Sequence, residues 1–137
     1  MEIASRMAFR AKGTTAPNPN VGAIIVKDGK IISRGWTGKD GRPHAEVNAI
    51  KRANNKKKLN GATLYCTLEP CSHKGKTGPC ADLILKLGIK NVYISSIDKN
   101  KVVNGKGIQK LKRNNVNVKF TINKKINLTF TLFRFNF

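Results

Sequence analysis

His44, Glu46, Cys71 and Cys80 are the residues of this chain whose types and spacing could do chemistry. An imidazole and two thiolates make three ligands for Zn²⁺, and a catalytic zinc site keeps three protein ligands and leaves its fourth position to water. Zinc lowers the pKa of such a water from 15.7 to about 7. A carboxylate two residues after the histidine can take up the proton and hand it on, a role typically worth about 10²–10⁴ in rate. The chemistry such a set could do is hydrolysis by a metal-activated water with a carboxylate to move its protons. The alternative is a closed structural site, with His73 as fourth ligand and no task for Glu46.

The elements around these residues must bring them together. Residues 2–12 read as a short helix with Ile3, Met7 and Ala11 inward. Two prolines make Ala16–Asn20 an irregular loop. Val21–Val26 and Ile31–Trp36 read as strands joined at Asp28-Gly29, a hairpin signal. His44 to about Lys57 reads as a helix with Val47, Ile50 and Ala53 inward, and 62–67 as a third strand. Cys80–Leu87 is a helix stopped by Gly88, Lys90–Ser95 a strand, Ile108–Arg113 a helix and Val116–Ile122 a fifth strand. Strands alternating with helices predict an open α/β layer structure with helices on both faces of a five-stranded mixed sheet. His44 and Cys80 fall at helix starts, where partial positive charge favours thiolate over thiol. Residues two apart on a regular helix point to nearly opposite sides, so His44 and Glu46 can share a site only across an irregular first turn.

Composition narrows the class. The chain has 137 residues, 39% hydrophobic and 25% charged, enough for one globular domain. No apolar run approaches the roughly 20 residues of a membrane helix, and Met1–Arg6 lacks a signal-peptide pattern, so the expectation is a cytoplasmic protein. Three cysteines are an odd count, better used on a metal than in disulfides. Cys66, within an apolar strand, reads as a small buried hydrophobe. The net charge of +20 comes from 27 basic and 7 acidic residues. It is mostly scattered lysine and reads as compositional, with attraction of phosphorylated small molecules second. Nucleic acid comes last, because no aromatic-studded RNA-binding signature accompanies the charge.

The order H-x-E, then P-C, then a second Cys is the signature of zinc nucleobase deaminases. Eight residues separate Cys71 from Cys80, against two in cytidine, dCMP and tRNA-adenosine deaminases. Pro17-Asn18-Pro19-Asn20-Val21-Gly22, Pro43-His44-Ala45-Glu46, Thr67 through Cys80, and Gly105-Lys106-Gly107-Ile108 closely resemble the deaminase domain of the riboflavin-biosynthesis diaminohydroxyphosphoribosylaminopyrimidine deaminases. The resemblance spans residues from about 4 to about 130. It implies a cytidine-deaminase-like three-layer α/β/α sandwich, a single domain over 1–137, and one Zn²⁺ held by His44, Cys71 and Cys80 with Glu46 moving protons. It implies hydrolytic removal of the 2-amino group of 2,5-diamino-6-ribosylamino-4(3H)-pyrimidinone 5′-phosphate. Asn18, Asp98 and Asn100 would contact that substrate and Lys76 its ribose phosphate.

Lys99 and Lys101 stand where the family commonly has prolines, Thr37 where it has a histidine, and Gly78 where it has a proline. Relatives usually continue into an NADPH-dependent reductase domain, which is not expected here, so no NADPH is expected either. Leu128–Phe137 carries four of the six phenylalanines. That segment reads as a final core element or as an interface for a second copy or a separate reductase chain. A nucleic-acid deaminase and a non-catalytic zinc-stabilised binding module are the rival readings.

Overall fold

Asp28 and Gly29 adopt φ of 49° and 71° and close a two-residue turn between β1 (Gly22–Lys27) and β2 (Lys30–Trp36). A pair of positive φ angles matches the right-handed twist of the flanking strands, and Asp-Gly accepts it at little steric cost. The computed structural model describes residues 1–75 and 77–121. β3 (Thr63–Leu68), β4 (Asn91–Ser96) and β5 (Asn117–Phe120) complete one sheet in the order β2-β1-β3-β4-β5. β1 pairs antiparallel with both β2 and β3, and β3, β4 and β5 run parallel. Parallel neighbours need crossover connections, supplied by α3 (Cys80–Lys86) and α4 (Lys106–Arg113). α2 (Ala45–Arg52) carries the chain from β2 to β3, and α1 (Glu2–Phe9) precedes the sheet.

Two glycines fix the layers. Gly22 pairs with Trp36, and Ala23 with Gly35, so Gly22 and Gly35 face opposite sides of the sheet. A methyl group at Gly22 would overlap the Ala4 carbonyl and the Ala8 amide of α1, and one at Gly35 would overlap the Ala45 carbonyl and the Ala49 amide of α2. α1 therefore covers one face. α2 lies on the other, where the fully buried Ile25, Leu64, Ile94, Ile84 and Leu111 join it to α3 and α4 in the main core. Helices thus stand on both faces of a mixed five-stranded sheet, as the sequence predicts. Cys66 is fully buried in this core, and burial pushes its thiol well above the usual range.

Ala11, Ile50 and Ala53 are buried as expected, and the close approach corrects the rest of the predicted helix faces. α1 buries Ala4 and Ala8 and leaves Ile3 42% exposed, because backbone-to-backbone contact at Gly22 admits only alanine. The second helix buries Ala45, Glu46, Ala49 and Ile50, while Val47 is only half-buried. That helix is shorter than expected: Ala53 leaves it with ψ of 116°. Lys56–Leu59 forms a separate 3₁₀ turn, with the Lys57 N–H donating to the Asn55 side chain (3.0 Å). Asparagine competes with the helix through such local bonds. β5 spans Asn117–Phe120 rather than Val116–Ile122, and residue 122 lies outside the described residues. Among the described residues no helix is long and apolar enough to cross a membrane.

Candidate active site

The carboxyl ends of β2, β3 and β4 open at one edge of the sheet, together with the start of β1 and the N-termini of α2 and α3. Open α/β sheets bind ligands at this edge. A cavity of about 150 Å³ lies there, walled by Asn18 and Val21 before β1, Thr37 after β2, His44 and Glu46 at α2, Glu69 and Cys71 after β3, and Asp98 and Asn100 after β4.

Three donors converge at its base. Cys71 Sγ and Cys80 Sγ lie 3.6 and 3.4 Å from His44 Nδ1, and all three donor atoms fall within 4.8 Å of one another. Tetrahedral zinc with ordinary Zn–N and Zn–S bonds sets such donors about 3.6 Å apart, so the donor set and its spacing fit the metal. His73 lines the cavity but is not part of this cluster among the described residues, which leaves the three-ligand arrangement and not the closed one. The Cys71 thiol is held down at about 4. The Cys80 thiol does most of this as a hydrogen-bond donor, with His44 and the Cys80 N–H (3.3 Å) adding to it against the effect of burial. Cys80 moves the other way, because its thiol keeps its proton in the hydrogen bond to Cys71 and burial disfavours charge. His44 is raised, chiefly by its hydrogen bond to Cys71.

Glu46 sits in the first turn of α2, only 4% exposed. Burial raises its carboxyl above the usual range, against hydrogen bonds that pull it down. His44 is the N-cap, with φ −62° and ψ 157°. Its backbone is extended where Glu46 is helical, which meets the geometric condition for both side chains to reach one cavity.

The remaining predicted residues divide. Asn18 is on the cavity wall and its Nδ2 donates to the Asp40 carbonyl (3.3 Å). Asp98 and Asn100 are also on the wall, each accepting a backbone N–H two residues on, from Asn100 (2.9 Å) and Val102 (3.0 Å). These local bonds hold the segment without the prolines that Lys99 and Lys101 replace. Lys76 and the phenylalanine-rich Leu128–Phe137 lie outside the described residues. Thr37 is buried with its hydroxyl committed to backbone, accepting from the Val21 N–H (2.9 Å) and donating to the Pro19 carbonyl (3.2 Å).

Sequence reading assigned no role to Glu69, which is 3% exposed. Its Oε1 accepts from the Gly107 (2.9 Å) and Ile108 (3.2 Å) amides at the start of α4, and its Oε2 from Gly105 (2.8 Å) and Asp98 (3.3 Å). One carboxylate therefore pins the Asp98 loop to the strand that leads into Cys71. A glutamate wedged beside Pro70-Cys71 in an otherwise apolar stretch was the signal available in the sequence.

The cytidine and deoxycytidylate deaminase zinc-binding region matches residues 1–96, a span holding all three donors and Glu46. The diaminohydroxyphosphoribosylamino-pyrimidine deaminase of Buchnera aphidicola subsp. Schizaphis graminum is 48% identical over 125 residues, 91% of this chain and 84% of that one. The chain belongs to this deaminase family. Riboflavin biosynthesis protein RibD of Aquifex aeolicus is 49% identical over 118 residues, 86% of this chain but 33% of its own length. The crystal structure of a diaminohydroxyphosphoribosylaminopyrimidine deaminase/5-amino-6-(5-phosphoribosylamino)uracil reductase from Thermotoga maritima superposes with a TM-score of 0.82 at 46% identity, covering 88% of this chain and 34% of that one. The chain spans about a third of the length of these two relatives. Within the deaminase family the cluster of His44, Cys71 and Cys80 is the zinc site, and the sheet order with its flanking helices is the cytidine-deaminase-like fold.

Proposed function

We propose that this deaminase hydrolyses 2,5-diamino-6-ribosylamino-4(3H)-pyrimidinone 5′-phosphate. Water replaces the 2-amino group, giving 5-amino-6-ribosylamino-2,4-pyrimidinedione 5′-phosphate and ammonia. The observation that carries the reading is the buried Glu46 carboxylate opening on the same cavity as the donors His44, Cys71 and Cys80. The name of the Buchnera relative supports the substrate class.

When bound, zinc supplies the Lewis acidity that makes water a nucleophile near neutral pH. Glu46 accepts a proton from that water and delivers it to the ring nitrogen beside the reacting carbon. It then takes the second proton from the hydroxyl added at that carbon and gives it to the departing amine, so that the carbonyl forms as ammonia leaves. Its buried position suits this cycle, since desolvation brings a carboxylate closer in basicity to the groups it exchanges protons with. Asn18, Asp98 and Asn100 hold the pyrimidine at the strand ends, and Lys76 meets the ribose phosphate. The Thermotoga relative joins deaminase and reductase in its name, and the partner proposed here is a second copy of the chain or a separate reductase chain.

Zinc-loaded protein mixed with the diaminopyrimidinone ribotide is expected to release one ammonia per ribotide consumed. No release at full zinc occupancy overturns the assignment.

A further inference from the structure

Among the described residues the cavity wall carries one permanent cation, Arg42, out of the 27 lysines and arginines in the chain. The wall also carries Glu46, Glu69 and Asp98. Glu46 is buried beside the metal ligands, and Glu69 is saturated by four backbone amides. Neither pairs with Arg42. Arg6 pairs with Glu2 and Lys110 with Asp82, and neither pair involves Arg42.

The side chain is nevertheless held in place. Arg42 lies two residues before His44, in a loop closed by the Gly38 N–H to the Pro43 carbonyl (2.9 Å) and the Arg42 N–H to the Lys39 carbonyl (3.2 Å). Its Nη1 donates to Thr77 Oγ1 at 2.9 Å, and a methyl group on Gly75 would stand 3.5 Å from its Nη2. The guanidinium therefore reaches from the α2 side of the cavity to the segment between the two cysteines. A guanidinium has five N–H donors in a fixed fork, and Thr77 uses one. What remains is a half-buried, charged, preoriented donor set without a carboxylate. That geometry matches the oxygens of a phosphate monoester, which a planar fork binds through two parallel hydrogen bonds.

Resting on the function proposed above, we infer that Arg42 reads the 5′-phosphate of the substrate and selects the ribotide over the unphosphorylated riboside. Thr77 keeps the guanidinium at the mouth, so the phosphate binds at the rim while the pyrimidine enters toward Glu46. The chain's large positive charge then contributes general attraction, and Arg42 adds a directed two-point grip on the phosphate beside the Lys76 contact proposed above.

The test compares kcat/KM for the ribotide and the riboside in the zinc-loaded wild type, Arg42→Ala and Arg42→Lys. Hydrogen bonds to charged groups of this kind correspond to about a 10- to 100-fold loss. Arg42→Ala is expected to lose that factor on the ribotide, through KM, and to change the riboside by less than about 2-fold on the same basis. Arg42→Lys falls between, because an ammonium keeps the charge but not the fork. Equal losses on both substrates overturn the inference, since they mean that Arg42 acts through its neighbour His44 or through the fold. An unchanged ribotide KM overturns it as well, with the phosphate read elsewhere.

A second measurement is independent of turnover. Binding of ribose 5-phosphate to zinc-loaded protein, followed by calorimetry, should weaken about 10-fold or more in Arg42→Ala, and equal affinity in the two proteins refutes the role. If wild type deaminates neither substrate yet binds ribose 5-phosphate through Arg42, the proposed reaction fails while the phosphate site stands.

Discussion

His44 and Glu46 flank the first residue of α2, one just outside the helix with ψ of 157° and one inside it, and both side chains open on one cavity. Had His44 been helical, the 200° between residues two apart would have sent the ligand and the carboxylate to opposite sides. The extended N-cap converts a two-residue spacing into a shared site.

Glu46→Gln tests what that juxtaposition does. The amide is isosteric and fills the same buried position, but it cannot accept a proton. Zinc content is expected to stay at one per chain while ammonia release falls by about 10²–10⁴. Metal analysis and a turnover assay on the same sample check both halves, and wild-type turnover would remove Glu46 from the mechanism.

Burial raises the Glu46 carboxyl, and the sign of the pH dependence follows. Glu46 must be ionised to take the water proton. kcat/KM should therefore fall as pH drops through the raised value, placing the acid limb above the ordinary glutamate pKa of about 4.3. A pH–rate profile whose acid limb lies at or below that value contradicts the burial argument.

Zinc uptake should release protons. Cys71, at about 4, is already a thiolate near neutral pH, whereas Cys80 is raised and keeps its proton, and His44 is raised toward its charged form. Ligands must be deprotonated to bind, so metal binding to the apoprotein at neutral pH is expected to release between about one and two protons. Calorimetry in buffers of different ionisation enthalpy reads this number directly. Zero would show that Cys80 is ionised before the metal arrives.

Gly35→Ala should destabilise the fold by about 1–3 kcal/mol, because the added methyl meets the α2 backbone at Ala45 and Ala49, which cannot swing aside as a side chain would. Gly78→Ala is the control. No atom lies within 4 Å of its added methyl, and its effect should stay within about 0.5 kcal/mol. Chemical denaturation at saturating zinc compares the two, and equal stabilities would mean that α2 can lift off β2.

Glu69→Gln replaces an acceptor-only carboxylate with a group whose NH₂ faces backbone N–H donors. Leaving buried amides at Gly105 or Gly107 unsatisfied costs about 1–3 kcal/mol. Amide hydrogen exchange at Asp98, Gly105, Gly107 and Ile108 should accelerate ahead of exchange in β1 and β3. Unchanged protection there would show that Glu69 does not hold the loop.

The donor set was legible in the sequence because chemistry constrains residue type more than position: only histidine, cysteine and a nearby carboxylate serve a three-ligand zinc centre. The hairpin at Asp28-Gly29 was legible for a similar reason, since its backbone angles suit few residues. Helix faces were legible only in part: Ala11, Ile50 and Ala53 are buried as expected. Periodicity favoured Ile3, Met7 and Val47 inward, but Gly22 and Gly35, distant in the chain, bring the helices so close that the alanine stripe wins. The end of α2 was misjudged because Asn55 competes for backbone bonds that a pattern of apolar residues does not register. Glu69 and Arg42 emerged only in three dimensions, because their meaning lies in partners 29 to 39 and 35 residues away. Residue identity alone determined which metal and which proton carrier this protein could use. Tertiary contact decided which way each side chain points, because direction depends on the backbone angles of single residues and on how closely separate elements pack.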